Sequence, residues 1–248
     1  MKISVIGGTG LIGSQLVSKL REAGHEVVAS SLSTGVDLLT GAGLDQALEG
    51  ADAVVNVTNS PTFDEASPAF FRTTMGHLLS AAERAGVRHQ VILSIVGVDQ
   101  VPQLDYYRAK TLQEDLLRNG STAYSIVRAT QFFEFMDAIL SWTSDDTTVR
   151  LPSTRLQPIA AADIVDVLAD VVTGPPLNGT LDVAGPDVFP LDELGRFTLS
   201  TRGDDRAVVT DEQAGMFAVV EGDVLVPGPG ARLAPTHYKD WLAAAPGR

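Results

Sequence analysis

Lys2-Ile3-Ser4-Val5-Ile6-Gly7-Gly8-Thr9-Gly10-Leu11-Ile12-Gly13-Ser14 is a short apolar run that enters a glycine cluster and leaves it as an amphipathic segment. Ile3, Val5 and Ile6 next to Gly7 suit a strand buried on both faces that stops abruptly. Leu11, Ile12, Leu16, Val17 and Leu20 then recur at helical spacing up to Gly24, where a glycine stop is expected. Val27, Val28 and Ala29 restore a strand, so the unit reads β-turn-α-β within about 30 residues.

Gly7, Gly10 and Gly13 fall in a GxxGxxG spacing, with Gly8 as an extra. Missing Cβ atoms permit positive φ and let backbone N–H groups approach a pyrophosphate closely. The helix N-terminus adds partial positive charge. A dinucleotide is therefore expected on the turn formed by Gly7, Thr9, Gly10, Leu11, Ile12 and Gly13. A Walker-type loop is excluded because Ser14, not Lys, follows Gly13.

The 248 residues can bury a substantial core, and strand-helix alternation with 44% apolar content points to a globular α/β protein. The net charge of −13, with 18 scattered Lys and Arg, disfavours a nucleic-acid partner. The absence of cysteine excludes disulfides, thiolate catalysis and thiolate-bound metal. No two of His25, His77, His89 and His237 have ligand spacing, so no metal is expected. Met1-Lys2 leads directly into the first strand without a leader pattern, and no apolar run approaches membrane-spanning length. A cytoplasmic protein with no membrane partner is expected.

Further along, Ser30 and Ser31 stand where such folds choose their cofactor. No acidic residue is present there to hold the ribose 2′-OH of NAD, and no Lys or Arg lies between Arg21 and Arg72. NADP(H) is the preferred cofactor on this reading, with NAD(H) possible. Gly35-Val36-Asp37-Leu38-Leu39 reads as a brief third strand. Ala51 to Val57 reads as a fourth, ending in Thr58-Asn59-Ser60-Pro61 on the edge where ligands sit in open α/β sheets. A long helix is expected from Pro68 to Ala85, a fifth strand from Gln90 to Ile95, a helix from Asp105 to Gly120 and a sixth strand from Ala123 to Val127. Tyr106 and Lys110 are four residues apart and share one helix face; as a bare pair they also suit an ordinary amphipathic turn.

The glycine turn, Asp37-Leu38, Ser94 and Tyr106-Tyr-Arg-Ala-Lys110 together resemble the short-chain dehydrogenase/reductase superfamily, in its atypical, NmrA-like branch. The likeness covers about the first 135 residues. It continues more loosely through Leu156 to Ile159 with Ala162-Asp163, and Asp182 to Pro186. Ala129 departs from the proline common at that place. The resemblance implies a Rossmann-type doubly wound parallel sheet with a small C-terminal substrate lobe, divided as residues 1–150 and 151–248. It also implies catalysis by Ser94, Tyr106 and Lys110. Tyr106 would exchange a proton with a carbonyl or alcohol oxygen, Lys110 would favour phenolate and hold the nicotinamide ribose, and Ser94 would bond the substrate oxygen. Asp37 would bond the adenine amine and Leu38 would cover its ring.

The expected function is NADP(H)-dependent hydride transfer to or from a small carbonyl or alcohol compound. A non-catalytic redox-sensing regulator and a nucleotide-sugar epimerase or dehydratase are the competing readings. Phe132, Phe133 and Met136, in the dense apolar run after the sixth strand, suit either core or the wall of an apolar substrate pocket. Asp163 reads as a cap or first-turn residue. Leu191 to Leu199 reads as one helix, and Pro235 to Leu242 as a last helix anchored by Trp241.

Overall fold

A computed structural model describes residues 1–244. In chain order the elements are β1 (Lys2–Ile6), α1 (Leu11–Glu22), β2 (Glu26–Ser30), α2 (Leu44–Leu48), β3 (Ala53–Asn56), α3 (Ser67–Ala85), β4 (His89–Ile95), α4 (Asp105–Arg118) and β5 (Tyr124–Ala129). There follow α5 (Met136–Ser141), β6 (Thr148–Leu151), β7 (Arg155–Leu156), α6 (Ala161–Thr173), β8 (Gly179–Ala184), β9 (Phe189–Pro190), α7 (Leu191–Arg202), β10 (Ala207–Thr210), β11 (Arg232–Leu233) and α8 (Tyr238–Ala244). The chain forms two compact units. One comprises Met1–Arg128 with Ile164–Leu181; the other comprises Ala129–Asp163 and the described chain from Asp182 onward. The division is discontinuous in sequence, with most of α6 and the start of β8 grouped with the first unit.

The main sheet is seven-stranded and parallel, in the order β11-β8-β5-β4-β3-β1-β2, the α/β arrangement of a Rossmann-type fold. β1 lies between β2 and β3, next to the sheet's edge, pairing Ile3 with Val27 and Val5 with Ala29 on one side and Val5 with Val55 on the other. The chain runs from β1 to β2 on one flank and then to β3 on the other. This reversal opens a crevice at the carboxyl ends of the strands.

The expected third strand is absent. After a 3₁₀ turn at Leu32–Thr34, the Val36 N–H is spent on Ser31 O and the Asp37 N–H on Ala42 O, while the Asp37 carboxylate accepts from Leu39 N–H. These local bonds take the N–H groups of Val36, Asp37 and Leu39, which a strand would have turned to a neighbour. Val36 and Leu38 are nonetheless buried, packing with Leu44, Ala47 and Leu48 of α2 in the first unit's core. Their alternation reports burial rather than strand pairing. The strands expected as fourth, fifth and sixth are therefore β3, β4 and β5.

Within this unit α3 lays Phe71, Met75, Leu78 and Ala82 into the interior, as its apolar spacing predicts. The second unit contains α5, α7, α8 and the short strand pairs β10-β6 and β7-β9. Asp163 lies in the first turn of α6 and accepts from Thr236 N–H and Oγ1. The last helix starts at Tyr238 rather than Pro235, because Thr236 is held by Asp163 and His237 by Asp187 at 2.7 Å. Among the described residues no helix is long and apolar enough to cross a membrane.

Leu48 is fully buried at the end of α2. Leu48→Ala is expected to lower unfolding free energy by about 2–5 kcal/mol through lost transfer energy and the cavity left behind. Urea denaturation with an unchanged slope measures it.

Candidate active site

The carboxyl edge of the first unit's sheet gathers the glycine turn, the ends of β2 and β3, Ser94 and the first turns of α4. Gly7, at φ +85°, ends β1, and its N–H donates to Ser30 O at 2.8 Å. A Cβ on Gly13 would lie 2.1 Å from Gly7 O, a contact no side chain tolerates. α1 can cross the end of β1 only there. Gly10 differs, since a Cβ there would meet only Gly7 O, at 3.5 Å. Nothing in the fold demands glycine at position 10. Gly10 is the N-cap of α1 and gives that helix no side-chain cap. The exposed face of the turn thus presents backbone N–H groups and the positive end of a 12-residue helix.

The other residues that the sequence assigns to the cofactor are placed as follows. Thr9 and Leu11 are exposed, and Ile12 is buried under α1. Ser30 is buried and its hydroxyl lies 3.5 Å from that of Ser4. Ser31 and Ser33 share a hydroxyl hydrogen bond of 2.8 Å beyond the end of β2. Thr58 borders Gly7 and gives both its N–H and Oγ1–H to Asn56 Oδ1, at 3.0 and 2.7 Å. Asp37 is half-buried and serves its own turn, while Leu38 is a core residue whose carbonyl lies 2.8 Å from His77 Nδ1.

Tyr106 and Lys110 lie on one face of α4, against Phe71 of α3. The Tyr106 and Phe71 ring centroids are 6.5 Å apart, and Lys110 Nζ lies 5.1 Å from the Phe71 centroid. Lys110 is only 3% exposed and donates to Leu93 O at 2.7 Å and to Gln113 Oε1. Burial pushes its ammonium down to about 7, against the opposing pull of Glu114. Tyr106 is 9% exposed, and burial raises its phenol well above the ordinary tyrosine value. The phenol therefore keeps its proton throughout the physiological range. It donates that proton to Asn59 Oδ1, which also accepts the Ser60 N–H at 2.9 Å. Phe63, 57% exposed, sets its ring edge against Tyr106 with centroids 4.7 Å apart.

Ser94, near the end of β4, is 3% exposed, and its Oγ has no hydrogen-bond partner. A buried hydroxyl without a partner is costly, and its natural complement is an acceptor brought by a ligand. Tyr107, adjacent to Tyr106 but about 100° round the helix from it, is also buried.

Phe132, Phe133 and Met136 belong to the second unit. Phe133 is buried against Tyr238 and Trp241, at centroid distances of 5.0 and 5.4 Å, and Met136 is also buried. Phe132 is half-buried against Phe135. The sequence places Asn59 in the stretch at the ligand edge without giving it a role, and it does not single out Gln113 at all. Asn59 follows the end of β3 by three residues, a position that marks the ligand edge, whereas Gln113 carries no local signal.

The residues at the edge fit a nicotinamide dinucleotide. The open space at Gly10 admits a phosphate to the backbone, and the unpartnered Ser94 hydroxyl awaits an acceptor. Among the described residues, no group of three or more His, Asp or Glu is placed to hold a metal ion.

Comparison with known proteins agrees. Residues 7–175 match the family described as NAD(P)H-binding. A reductase of (4-alkanoyl-5-oxo-2,5-dihydrofuran-3-yl)methyl phosphate from Streptomyces griseus is 30% identical over 208 residues, covering 75% of this chain and 69% of that protein. The fold is shared with an NADPH-dependent quinone oxidoreductase from Escherichia coli, at TM-score 0.73 and 15% identity, covering 98% of this chain and 99% of that one. It is shared too with a dTDP-4-dehydrorhamnose reductase from Clostridium acetobutylicum, at TM-score 0.68 and 16% identity, covering 96% and 91%.

The two glycines separate fold from ligand. Gly13→Ala is expected to unfold the protein or cost about 4 kcal/mol or more, whereas Gly10→Ala keeps the wild-type Tm and weakens dinucleotide binding about tenfold or more. Thermal melts and calorimetric titration with NADPH read the two effects. The chain belongs to the NAD(P)H-binding family, within the atypical, NmrA-like short-chain dehydrogenase/reductases, and is an NAD(P)-dependent oxidoreductase of that type.

Proposed function

We propose that the protein is an NADPH-dependent reductase of a small, apolar carbonyl compound, with Tyr106 as proton donor, Ser94 as carbonyl-oxygen ligand and Lys110 as the cation behind them. The observation that carries this reading is the buried, unpartnered Ser94 hydroxyl on the same sheet edge as a buried, protonated phenol and a buried ammonium. The bound dinucleotide would supply hydride.

Gly7 to Gly13 and the free N–H groups of α1 would hold its pyrophosphate, and Thr58 would stand beside it. Ser31 and Ser33 would face the adenosine ribose. The chain between Arg21 and Arg72 offers no cation there, and the carboxylate of Asp37 is engaged by Leu39 N–H. A 2′-phosphate therefore meets hydroxyls rather than a competing acid, which supports NADPH over NADH. We assign the adenine contacts to Asp37 and Leu38 only through the family resemblance.

The phenol's raised pKa supports the reductive direction. A group that keeps its proton is a donor, and in reduction the carbonyl oxygen needs a proton. The substrate oxygen would replace Asn59 Oδ1 as the acceptor of the Tyr106 proton and would take a second hydrogen bond from Ser94. Lys110, charged below about pH 7, would stabilise the phenolate left behind. Phe63 beside the phenol supports an apolar substrate. A cysteine-free chain of this chemistry suits the cytoplasm, where NADPH is regenerated.

Purified protein freed of nucleotide is expected to bind NADPH at micromolar concentration and NADH more weakly by titration calorimetry. Over a panel of apolar aldehydes, ketones and quinones, consumption of NADPH is expected to fall about 10²–10⁴-fold in Tyr106→Phe, with NADPH affinity retained. NADPH binding with no turnover across the panel would instead favour the non-catalytic sensor. Unchanged turnover in Tyr106→Phe would remove this residue from the mechanism.

A further inference from the structure

Gln113 lies one turn beyond Lys110 on α4 and is fully buried, in an interior that a leucine or methionine would fill. A carboxamide taken out of water is costly unless its polar atoms are met. Its Oε1 is met by the Lys110 ammonium. Its Nε2 is met only softly, by Met75 Sδ at 3.8 Å. The same sulfur receives Asn56 Nδ2 at 3.6 Å, and Asn56 Oδ1 in turn receives Thr58 N–H and Oγ1–H. A polar path therefore runs beneath the site from Lys110 through Gln113, Met75 and Asn56 to the loop after β3.

An ammonium has three N–H donors. Leu93 O and Gln113 Oε1 accept two of them, and the Phe71 ring lies 5.1 Å from the nitrogen. We propose that Gln113 is the positioning residue of Lys110: its carboxamide and Leu93 O clamp the ammonium at the carboxyl edge of the sheet and leave one donor for whatever binds there. Position and charge are linked in this clamp. An acceptor on the ammonium favours its charged form, and loss of that acceptor in a buried setting favours the neutral amine.

The surroundings make Gln113 the adjustable partner. On α4 itself the titratable neighbours are Tyr106 and Glu114. The Glu114 carboxylate is already occupied by Arg128 of β5, at 2.9 and 2.7 Å, and by Arg118 at 2.7 Å, while Arg128 also reaches Asp99 at 3.0 Å. From α3 come Phe71 and Met75, which carry no charge, and from β4 the Leu93 carbonyl.

The charge of Lys110 can be followed without cofactor or turnover. Lys2, Lys19, Lys110 and Lys239 are the lysines of the chain, so in isotope-labelled, nucleotide-free protein the Lys110 ε-carbon resonance is assigned by its loss in Lys110→Met. The wild-type midpoint is expected near pH 7, the ammonium being present below it and lost above it. Gln113→Glu, which keeps the shape and adds a carboxylate, is expected to raise the midpoint by about one pH unit or more, and Gln113→Met to lower it. Wild-type midpoints in both variants, or in Gln113→Glu alone where Gln113→Met fails to fold, would overturn the assignment.

The link to turnover rests on the reductase reading. Gln113→Met is expected to lower kcat about 10²-fold through displacement of the ammonium, at unchanged Tm. If Lys110→Met itself turns over normally, the reductase role of Lys110 falls while the clamp, read by NMR, stands or falls by its own titration.

Discussion

The approach of α1 to Gly7 O is the constraint on which the rest of the first unit depends. Because a Cβ at position 13 would come within 2.1 Å of that oxygen, glycine alone lets the helix start directly over the end of β1. That closeness aims the helix N-terminus at the carboxyl edge of the sheet. It also brings Thr58, two residues past β3, against Gly7, so the glycine turn and the loop that carries Asn59 lie side by side. Loss of this contact would separate the two strands' loops, and no rearrangement of surface side chains could restore it.

The second organising feature is charge kept inside. α4 carries Lys110 and Glu114 one turn apart, both buried, and the sheet answers them differently. Glu114 is met by the Arg128 guanidinium in a two-pronged pair, which fixes the helix against β5. Lys110 receives only neutral acceptors. A buried ammonium among neutral groups is a poor stabilising device, because desolvation outweighs what carbonyls return. Its presence is readily understood as a functional arrangement, and the depressed pKa follows from the same burial.

α3 connects these parts. Phe71 lies beside both Lys110 and Tyr106, and Met75 touches the amides of Asn56 and Gln113. One buried helix face thus supports the β3 loop and the first turns of α4 together. Side chains seated on packed elements in this way hold their geometry better than side chains on loops. Asn59 and Phe63 lie instead on the loop after β3 and meet Tyr106 from there.

The sequence by itself determined the β-turn-α-β start, the glycine spacing, the helices α3 and α4 and the pairing of Tyr106 with Lys110 on one face. Each of these is written in contacts between residues near in sequence, by periodicities of two or 3.6 and by steric limits at glycine. Only the tertiary structure decided that Val36 and Leu38 bury without pairing, since alternation records which side chains face the core and not where the backbone N–H groups go. It alone decided that α6 returns to the first unit. It alone brought Asn59 to the Tyr106 phenol, 47 residues away along the chain, and Leu93 and Gln113 to Lys110. Hydrogen bonds across such separations depend on packing of whole elements, and burial, which sets the charges of Tyr106 and Lys110, is a property of that packing rather than of any short stretch of residues.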